Sequence, residues 1–136
     1  MKAPDQFVIV DDDTSNNFLC QRVIHVLFPK STIRLFTHPE IALKIIGEEY
    51  PGGSKKKSIV LFLDINMPHL DGWAFLEKFG KLGKQIQEQF LIYLLSSSID
   101  PLDRERATSY ANVTGFLSKP LIVKELRLLF SEDRKT

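Results

Sequence analysis

The sequence predicts an α/β fold in which five strand–helix units, a (βα)5 arrangement, surround one parallel sheet. Five short apolar runs alternate with longer amphipathic stretches, as expected when helices connect parallel strands. No internal repeat or low-complexity segment interrupts this alternation. The chain has 136 residues, which is enough for one domain with a full core and too few for two ordinary domains.

The strands are predicted where the apolar runs lie. Each run has four to six residues, which is typical of a buried strand and short for a helix. The predicted strands are residues 7–10, 32–36, 59–63, 90–95 and 113–118.

Helices are predicted between these runs, and residues typical of helix starts mark four of their beginnings. These markers are Thr14 or Ser15 for the first helix, His38-Pro39-Glu40 for the second, Asp100-Pro101 for the fourth and Pro120 for the fifth. Apolar residues at spacings of three and four predict the buried faces. The predicted faces are Phe18, Leu19, Val23, Ile24 and Leu27; Ile41, Leu43, Ile45 and Ile46; Trp73, Leu76 and Phe79 or Phe75; and Ile122, Leu126, Leu129 and Phe130.

Composition argues against several classes of function. Eighteen Lys and Arg residues against 17 Asp and Glu residues give a net charge of +1, so neither nucleic acid nor anionic membrane is an expected partner. Cys20 is the single cysteine, which excludes an intrachain disulfide, and we expect it to be buried. Without a signal segment or an apolar run near the ~20 residues that span a bilayer, a soluble, cytoplasmic protein is expected.

Polar side chains follow four of the five predicted strands. Because the carboxyl ends of parallel strands meet at one edge of the sheet, and neighbouring strands lie ~4.8 Å apart, these side chains are expected to share one site. Thr37 and His38, after the second strand, offer the least chemistry. The candidates are Asp11, Asp12 and Asp13 after the first strand, Asp64 after the third, Ser96, Ser97 and Ser98 after the fourth, and Lys119 after the fifth.

This set of side chains suggests phosphoryl chemistry. Clustered carboxylates repel one another unless a cation lies between them, and ligands that are all oxygen favour Mg²⁺ over zinc. A cation, the Lys119 ammonium and the Ser96 hydroxyl would form a phosphoryl pocket in which Asp64 is the nucleophile. The alternative is that Asp11 and Asp12 only cap the first helix and Lys119 forms a plain ion pair with them.

Four segments, IVDDD, LFLDINMPHLDG, YLLSSS and GFLSKPL, resemble the receiver domains of two-component response regulators. The resemblance extends from Phe7 to about Phe130 and is closest to the stand-alone type typified by the chemotaxis regulator. It implies a doubly wound, flavodoxin-like sheet with strand order 2-1-3-4-5. It also implies that residues 1–136 form a single receiver domain without an output domain.

The resemblance implies roles for the site residues. Asp64 would accept a phosphoryl group from a sensor histidine kinase or a histidine phosphotransferase. Mg²⁺ would be held by Asp11, Asp12, Asp64 and the backbone carbonyl of Asn66. Lys119 would pair with the phosphoryl group. The domain would then be a phosphoacceptor that catalyses only its own phosphorylation and dephosphorylation.

The resemblance also implies a switch that carries the signal. Ser96 would move toward the phosphoryl group and Phe116 would turn inward. The surface of the fourth helix, fifth strand and fifth helix would then change its affinity for a downstream protein. Asn66 and Ser98 would modulate hydrolysis. Because Phe116 lacks a tyrosine hydroxyl, its part in the switch would be steric.

Other residues have simpler expected roles. Asp13 is expected to begin the first helix. The Lys119–Pro120 peptide bond is expected to be cis, by resemblance. His69 is expected to be an exposed loop residue and Trp73 a core residue. The segment EEYPGGSKKKS, residues 48–58, predicts a loop with a solvated lysine run, Lys55 to Lys57.

Two other functions remain possible from the sequence. DDDTS can be read as the motif of a haloacid-dehalogenase-like phosphatase, with Asp11 attacking and Asp13 as general acid. That class needs a further acidic pair on a strand end after the lysine, and it leaves LDINMP unexplained. The second alternative is a degenerate receiver that acts by contacts alone; the intact acid pair, acceptor, hydroxyl and lysine argue against it.

Overall fold

The computed structural model describes residues 2–50, 57–98 and 100–131, and its framework is a five-stranded parallel sheet. The strands are Gln6–Val10 (β1), Thr32–Phe36 (β2), Ile59–Asp64 (β3), Phe90–Ser96 (β4) and Val113–Ser118 (β5). Their order is β2-β1-β3-β4-β5 and every pair is parallel, which confirms the predicted doubly wound, flavodoxin-like fold. Both β3 and β4 extend one residue beyond their predicted ends, to Asp64 and Ser96.

The described residues contain six helices, five between the strands and one after β5. They are Thr14–Leu27 (α1), Pro39–Glu49 (α2), Gly72–Phe79 (α3), Lys84–Gln87 (α4), Pro101–Ala107 (α5) and Val123–Leu129 (α6). The single turn α4 was not predicted, because four residues are too few to show a helical period. The predicted fourth and fifth helices are therefore α5 and α6.

The sheet is buried on both faces because alternate residues of each strand point to opposite sides. Val8 and Val10 of β1 belong to one apolar cluster, which α2 and α3 cover. Phe7 and Ile9 belong to the other, which α1 and α6 cover. All six residues of β3 are buried, so the site residue at its end emerges directly from the core.

The buried face of α1 differs from the prediction. Phe18 and Leu19 are 55% and 49% exposed, whereas Cys20 and Ile24 are fully buried. The buried face also includes two polar residues, Asn16 and Asn17. Counting apolar residues alone shifted the predicted face around the helix, because these buried amides contribute to the true one.

Smaller corrections apply to α2 and α6. Ile41 is 50% exposed, while Ala42 and Ile46 form the buried face of α2. Helix α6 begins at Val123 rather than at Pro120, and Ile122, which is 46% exposed, precedes it as the N-cap residue. The predicted starts at Thr14 and Pro101 are confirmed, as is burial of the aromatic face of α3.

Two further sequence predictions concern the chain outside this sheet. The described part of the chain contains no helix that is long and apolar enough to cross a bilayer. The predicted loop begins two residues later than expected, because Glu48 and Glu49 end α2; residues 51–56, with Lys55 and Lys56, lie outside the described residues, as does residue 99. Lys57 is described and is exposed, as predicted.

The corrected face of α1 predicts unequal effects of truncating two apolar side chains. Ile24→Ala removes a fully buried side chain and should lower the free energy of unfolding by about 2–4 kcal/mol. Phe18→Ala, on the exposed face, should change it by less than about 1 kcal/mol. Urea denaturation measures both free energies of unfolding. A larger loss of stability from Phe18→Ala than from Ile24→Ala would contradict the observed face and support the one that the sequence predicted.

Candidate functional site

Strands β1 and β3 bring two carboxylates together at the carboxyl end of the sheet. Val10 pairs with Leu63 in the β1–β3 register, so the next residues, Asp11 and Asp64, stand side by side. This is the point where the strand order reverses, which is where open α/β sheets form binding crevices. Asp11 is fully buried and Asp64 is 3% exposed.

The Asp11 carboxylate is held by three donors. Its Oδ1 accepts the Asp13 N–H at 2.9 Å. Its Oδ2 accepts Asn16 Nδ2 at 2.7 Å and lies 2.8 Å from Lys119 Nζ. Asn17 Nδ2 donates to the Asp11 main-chain oxygen at 2.9 Å. The first turn of α1 therefore fixes both the backbone and the side chain of Asp11.

The Asp64 carboxylate has fewer partners. Its Oδ1 accepts the Asn66 N–H at 3.1 Å, and its Oδ2 lies 3.3 Å from Lys119 Nζ. Lys119 follows β5, and its own N–H donates to the Ser96 carbonyl at 2.8 Å. The predicted cis bond between Lys119 and Pro120 is present. The lysine ammonium thus bridges the two buried carboxylates.

The two carboxylates of this cluster repel each other, and the Lys119 ammonium attracts both. Burial and the nearby Asp11 charge raise the pKa of Asp64 from 3.8 to about 6, against the opposing effects of the Asn66 N–H and Lys119. Burial disfavours the Lys119 ammonium, but its contacts with Asp11 and Asp64 outweigh burial and raise its pKa. The ammonium therefore stays charged while compensating the acid pair only in part.

The acidic residues at this edge fit a hard divalent cation. Asp11, Asp12 and Asp64 each offer a carboxylate oxygen, and these oxygens lie within 4.8 Å of one another. Asp12 is exposed, which leaves room for water ligands. Carboxylate oxygens together with water suit Mg²⁺. Asp13 is not part of this set, since its side chain caps α1 by accepting the N–H groups of Ser15 and Asn16.

Ser96 is buried at the end of β4, but its hydroxyl is turned to its own loop. Ser96 Oγ donates to the Ser98 carbonyl at 2.6 Å and accepts the Ser98 N–H at 3.1 Å. In the described part of the chain, neither hydrogen bond reaches Asp64 or Lys119. The structure therefore brings Ser96 to the same edge of the sheet without engaging it with the acid cluster.

Phe116 lies on β5 opposite Leu94, half-buried against the core. The Arg104 guanidinium of α5 lies 5.6 Å from the centre of its ring. This arrangement is a cation–π contact between the proposed switch residue and the neighbouring helix.

The start of α3 is packed directly against the backbone of Asp64. The Gly72 N–H donates to the Ile65 carbonyl at 3.1 Å. A Cβ atom on Gly72 would lie 2.6 Å from Ile65 Cα and 2.9 Å from the Asp64 carbonyl oxygen, so only glycine permits this approach. The Asp71 side chain caps the helix by accepting the Ala74 N–H at 2.8 Å. The Asp-Gly pair of the sequence therefore sets the position of Asp64.

His69 lies in the exposed loop before α3, as predicted, with a φ of 70°. It lines an open cleft together with Asp12, His38 and Pro68. The cleft gives solvent access to the acidic edge from the β2 side.

Sequence reasoning missed three residues that support the site: Asn16, Asn17 and Gly72. The two asparagines follow Asp11 by five and six residues, which places them on the first turn of α1. Two adjacent polar residues at the start of an amphipathic helix were the available signal. Gly72 was visible in the motif, but its close approach to Asp64 depends on tertiary packing.

Comparisons with known proteins identify the family. The model of the response regulator receiver domain matches residues 7–130. No relative was found among curated protein sequences.

Solved structures agree with this match. The chain is similar to a two-component response regulator from Cytophaga hutchinsonii, with 28% identity, a TM-score of 0.83, and coverage of 99% of this chain and 100% of that one. It is also similar to a response regulator receiver protein from Dyadobacter fermentans, with 26% identity, a TM-score of 0.80 and coverage of 91% and 93%. A CheY-like receiver domain protein from Methanospirillum hungatei shares the fold at 17% identity, with a TM-score of 0.72 and coverage of 98% and 95%.

The close approach at Gly72 predicts a strong position dependence of Gly→Ala substitution. Gly72→Ala forces the backbone at Asp64 and Ile65 to move and should lower the free energy of unfolding by about 1–3 kcal/mol or more. Gly83→Ala is the matched control, since its Cβ would meet no atom within 4 Å, and it should be neutral or stabilising. Urea denaturation measures the free energy of unfolding of both variants. Equal effects of the two substitutions would contradict the close packing of Gly72 against Asp64 and Ile65.

The raised pKa of Asp64 predicts that neutralising this side chain stabilises the metal-free protein at neutral pH. Because the folded-state pKa of about 6 exceeds the ordinary 3.8, stability falls as pH rises between these values. Asp64→Asn should therefore raise the free energy of unfolding by about 1–2 kcal/mol at neutral pH, and the gain should disappear near pH 4.

Urea denaturation in a chelating buffer at both pH values measures this effect. The exposed Asp12→Asn is the control and should change stability by less than about 0.5 kcal/mol. A less stable Asp64→Asn protein at neutral pH would show that Lys119 more than compensates the acid pair.

Proposed function

The chain belongs to the response regulator receiver domain family, and from this premise we propose that Asp64 is its phosphoacceptor. Receiver domains interact with histidine kinases or histidine phosphotransferases, and a phosphohistidine on such a protein is the proposed donor. Phosphorylation depends on Mg²⁺ in this proposal. Its output is a changed affinity for a downstream protein.

The observation that carries the proposal is the lysine bridge between the two buried carboxylates. Lys119 Nζ lies 2.8 Å from Asp11 Oδ2 and 3.3 Å from Asp64 Oδ2. A phosphoryl group on Asp64 would carry its oxygens into reach of the same ammonium. A plain ion pair would need only one carboxylate and would not need Asp64 at the end of a buried strand.

The reaction is a phosphoryl transfer between two nucleophiles. An oxygen of the ionised Asp64 attacks phosphorus and forms an O–P bond, while the N–P bond of the phosphohistidine breaks and its electron pair stays on the imidazole. Lys119 stabilises charge on the phosphoryl oxygens, and the Asn66 N–H holds the second carboxylate oxygen of Asp64. Asn66 and Ser98 are proposed to modulate the later hydrolysis.

Asp11, Asp12, Asp64 and the Asn66 carbonyl would hold Mg²⁺. The ion would supply positive charge that offsets the repulsion among the carboxylates and the incoming phosphoryl oxygens. Asp11 and Asp64 would hold the ion from two neighbouring strands, and the exposed Asp12 would leave it open to solvent.

The proposed switch uses Ser96 and Phe116. Phosphorylation would draw the Ser96 hydroxyl from its contacts with Ser98 toward the phosphoryl group, and Phe116 would turn into the vacated space. The Phe116 ring contacts Arg104 of α5, so its rotation would alter the surface of α5, β5 and α6. That surface is the proposed site for the downstream protein.

Mass spectrometry after exposure to acetyl phosphate and Mg²⁺ tests the acceptor. The wild-type protein should gain the mass of one phosphoryl group, and Asp64→Ala should gain none. Asp13→Asn is the matched control, because Asp13 caps α1 and should leave phosphorylation of Asp64 intact.

A turnover assay, together with the same mass measurement, separates the rival functions. A haloacid-dehalogenase-like phosphatase would need Asp11 as nucleophile and Asp13 as acid, so it would turn over a generic phosphomonoester and lose that activity in Asp13→Asn. A degenerate receiver would gain no mass. Phosphorylation that persists in Asp64→Ala would contradict the proposed acceptor.

A further inference from the structure

Asn16 reaches the acid cluster from the first turn of α1 through a side-chain hydrogen bond. It is buried on the first turn of α1, on the same helix as the buried Cys20 and Ile24. Its Nδ2 donates to Asp11 Oδ2 at 2.7 Å, the same oxygen that Lys119 Nζ contacts at 2.8 Å. A buried amide paired with a buried carboxylate has a specific geometric role or it carries a cost.

The hydrogen bonds around Asp11 show what Asn16 adds. A carboxylate has about four lone-pair positions, and three are taken by the Asp13 N–H, Asn16 Nδ2 and Lys119 Nζ. Without Asn16, Lys119 would be the only side-chain donor on Asp11. Asp11 Oδ2 would then be held by the ammonium alone, and the single Asp13 N–H on Oδ1 would not fix the plane of the carboxylate.

Asn16 is itself held in place. Its Nδ2 also lies 3.7 Å from Cys20 Sγ, one helical turn further along α1. Burial and the nearby Asp11 charge raise the pKa of the Cys20 thiol to about 12, so the thiol stays neutral beside the carboxylate. Asn16 Nδ2 makes both contacts, so Asp11 and Cys20 together define the orientation of the Asn16 amide.

We propose that Asn16 is a positioning residue for phosphotransfer, which shares Asp11 Oδ2 with Lys119 and thereby keeps the Asp11 carboxylate turned toward the Mg²⁺ position. The inference rests on the proposed function of the site. It predicts that loss of the Asn16 amide lowers the affinity for the metal while the protein still folds. Removing a hydrogen-bond partner of a metal ligand typically lowers metal affinity or activity about 10- to 100-fold.

The neighbouring asparagine supplies a matched control. Asn17 is buried on the same turn and also donates to Asp11, but to its main-chain oxygen at 2.9 Å. Its Oδ1 is buried without a hydrogen-bond partner, so its contribution to the site is confined to the Nδ2 contact. Asn17→Ala therefore removes a comparable buried contact and leaves the three donors on the carboxylate in place.

The test is a Mn²⁺ titration of the unphosphorylated protein, with free Mn²⁺ measured by electron paramagnetic resonance. Asn16→Ala should weaken binding about 10-fold or more, and Asn17→Ala, which leaves every donor on the carboxylate in place, should weaken it by a clearly smaller factor. Thermal melts in chelator verify that both variants are folded. If Asn16→Ala does not fold, Asn16→Leu, which is closer in volume, takes its place with the same expected loss.

A kinetic measurement adds a second readout. With acetyl phosphate as donor, Asn16→Ala should raise the Mg²⁺ concentration for half-maximal phosphorylation by a factor similar to its loss of Mn²⁺ affinity. Unchanged Mn²⁺ binding in the Asn16 variants, or equal losses in the Asn16 and Asn17 variants, would overturn the inference. A wild-type protein that binds Mn²⁺ but gains no phosphoryl group would overturn the proposed function alone.

Discussion

The contact of one lysine ammonium with two buried carboxylates governs the arrangement of the site. Asp11 and Asp64 stand on neighbouring strands with almost no exposure to solvent, so burial and the nearby Asp11 charge both disfavour ionisation of Asp64. Lys119 reaches both, yet the pKa of Asp64 stays raised, at about 6. One positive charge among these acids is therefore insufficient, and the deficit explains why the site suits a divalent cation.

The starts of helices α1 and α3 hold the two carboxylates in this unfavourable arrangement. On one side, the start of α1 supplies three donors to Asp11: the N–H of the N-cap residue Asp13 and the side-chain amides of Asn16 and Asn17. On the other, Gly72 brings the start of α3 against the main chain of Asp64. The carboxylates cannot separate to relieve their repulsion without disturbing the ends of two helices, so relief has to come from a bound cation or from protonation of Asp64, whose pKa is raised to about 6.

The sequence predicted the strand ends well because apolar runs in a doubly wound sheet stop where the chain leaves the core. Asp64 and Lys119 were therefore placed correctly from local pattern alone. Phe18 was assigned to the wrong face because periodicity counts apolar residues, whereas the buried face of α1 includes Asn16. That burial is understandable only from the Asp11 contact, and the role of Gly72 only from the position of α3, so both depend on tertiary packing.

The packing of α3 also connects the acid cluster with the proposed output surface. Trp73, next to Gly72, stacks on Tyr110 with ring centres 5.7 Å apart, and the Arg106 guanidinium lies 4.5 Å from the centre of the Trp73 ring. Arg106 belongs to α5, the helix whose Arg104 covers Phe116. Packed cores transmit small displacements because their side chains have few alternative arrangements. A shift of the Asp64 backbone would therefore displace α5 through α3 as well as through Ser96. The proposed switch thus has two physical connections to the same helix.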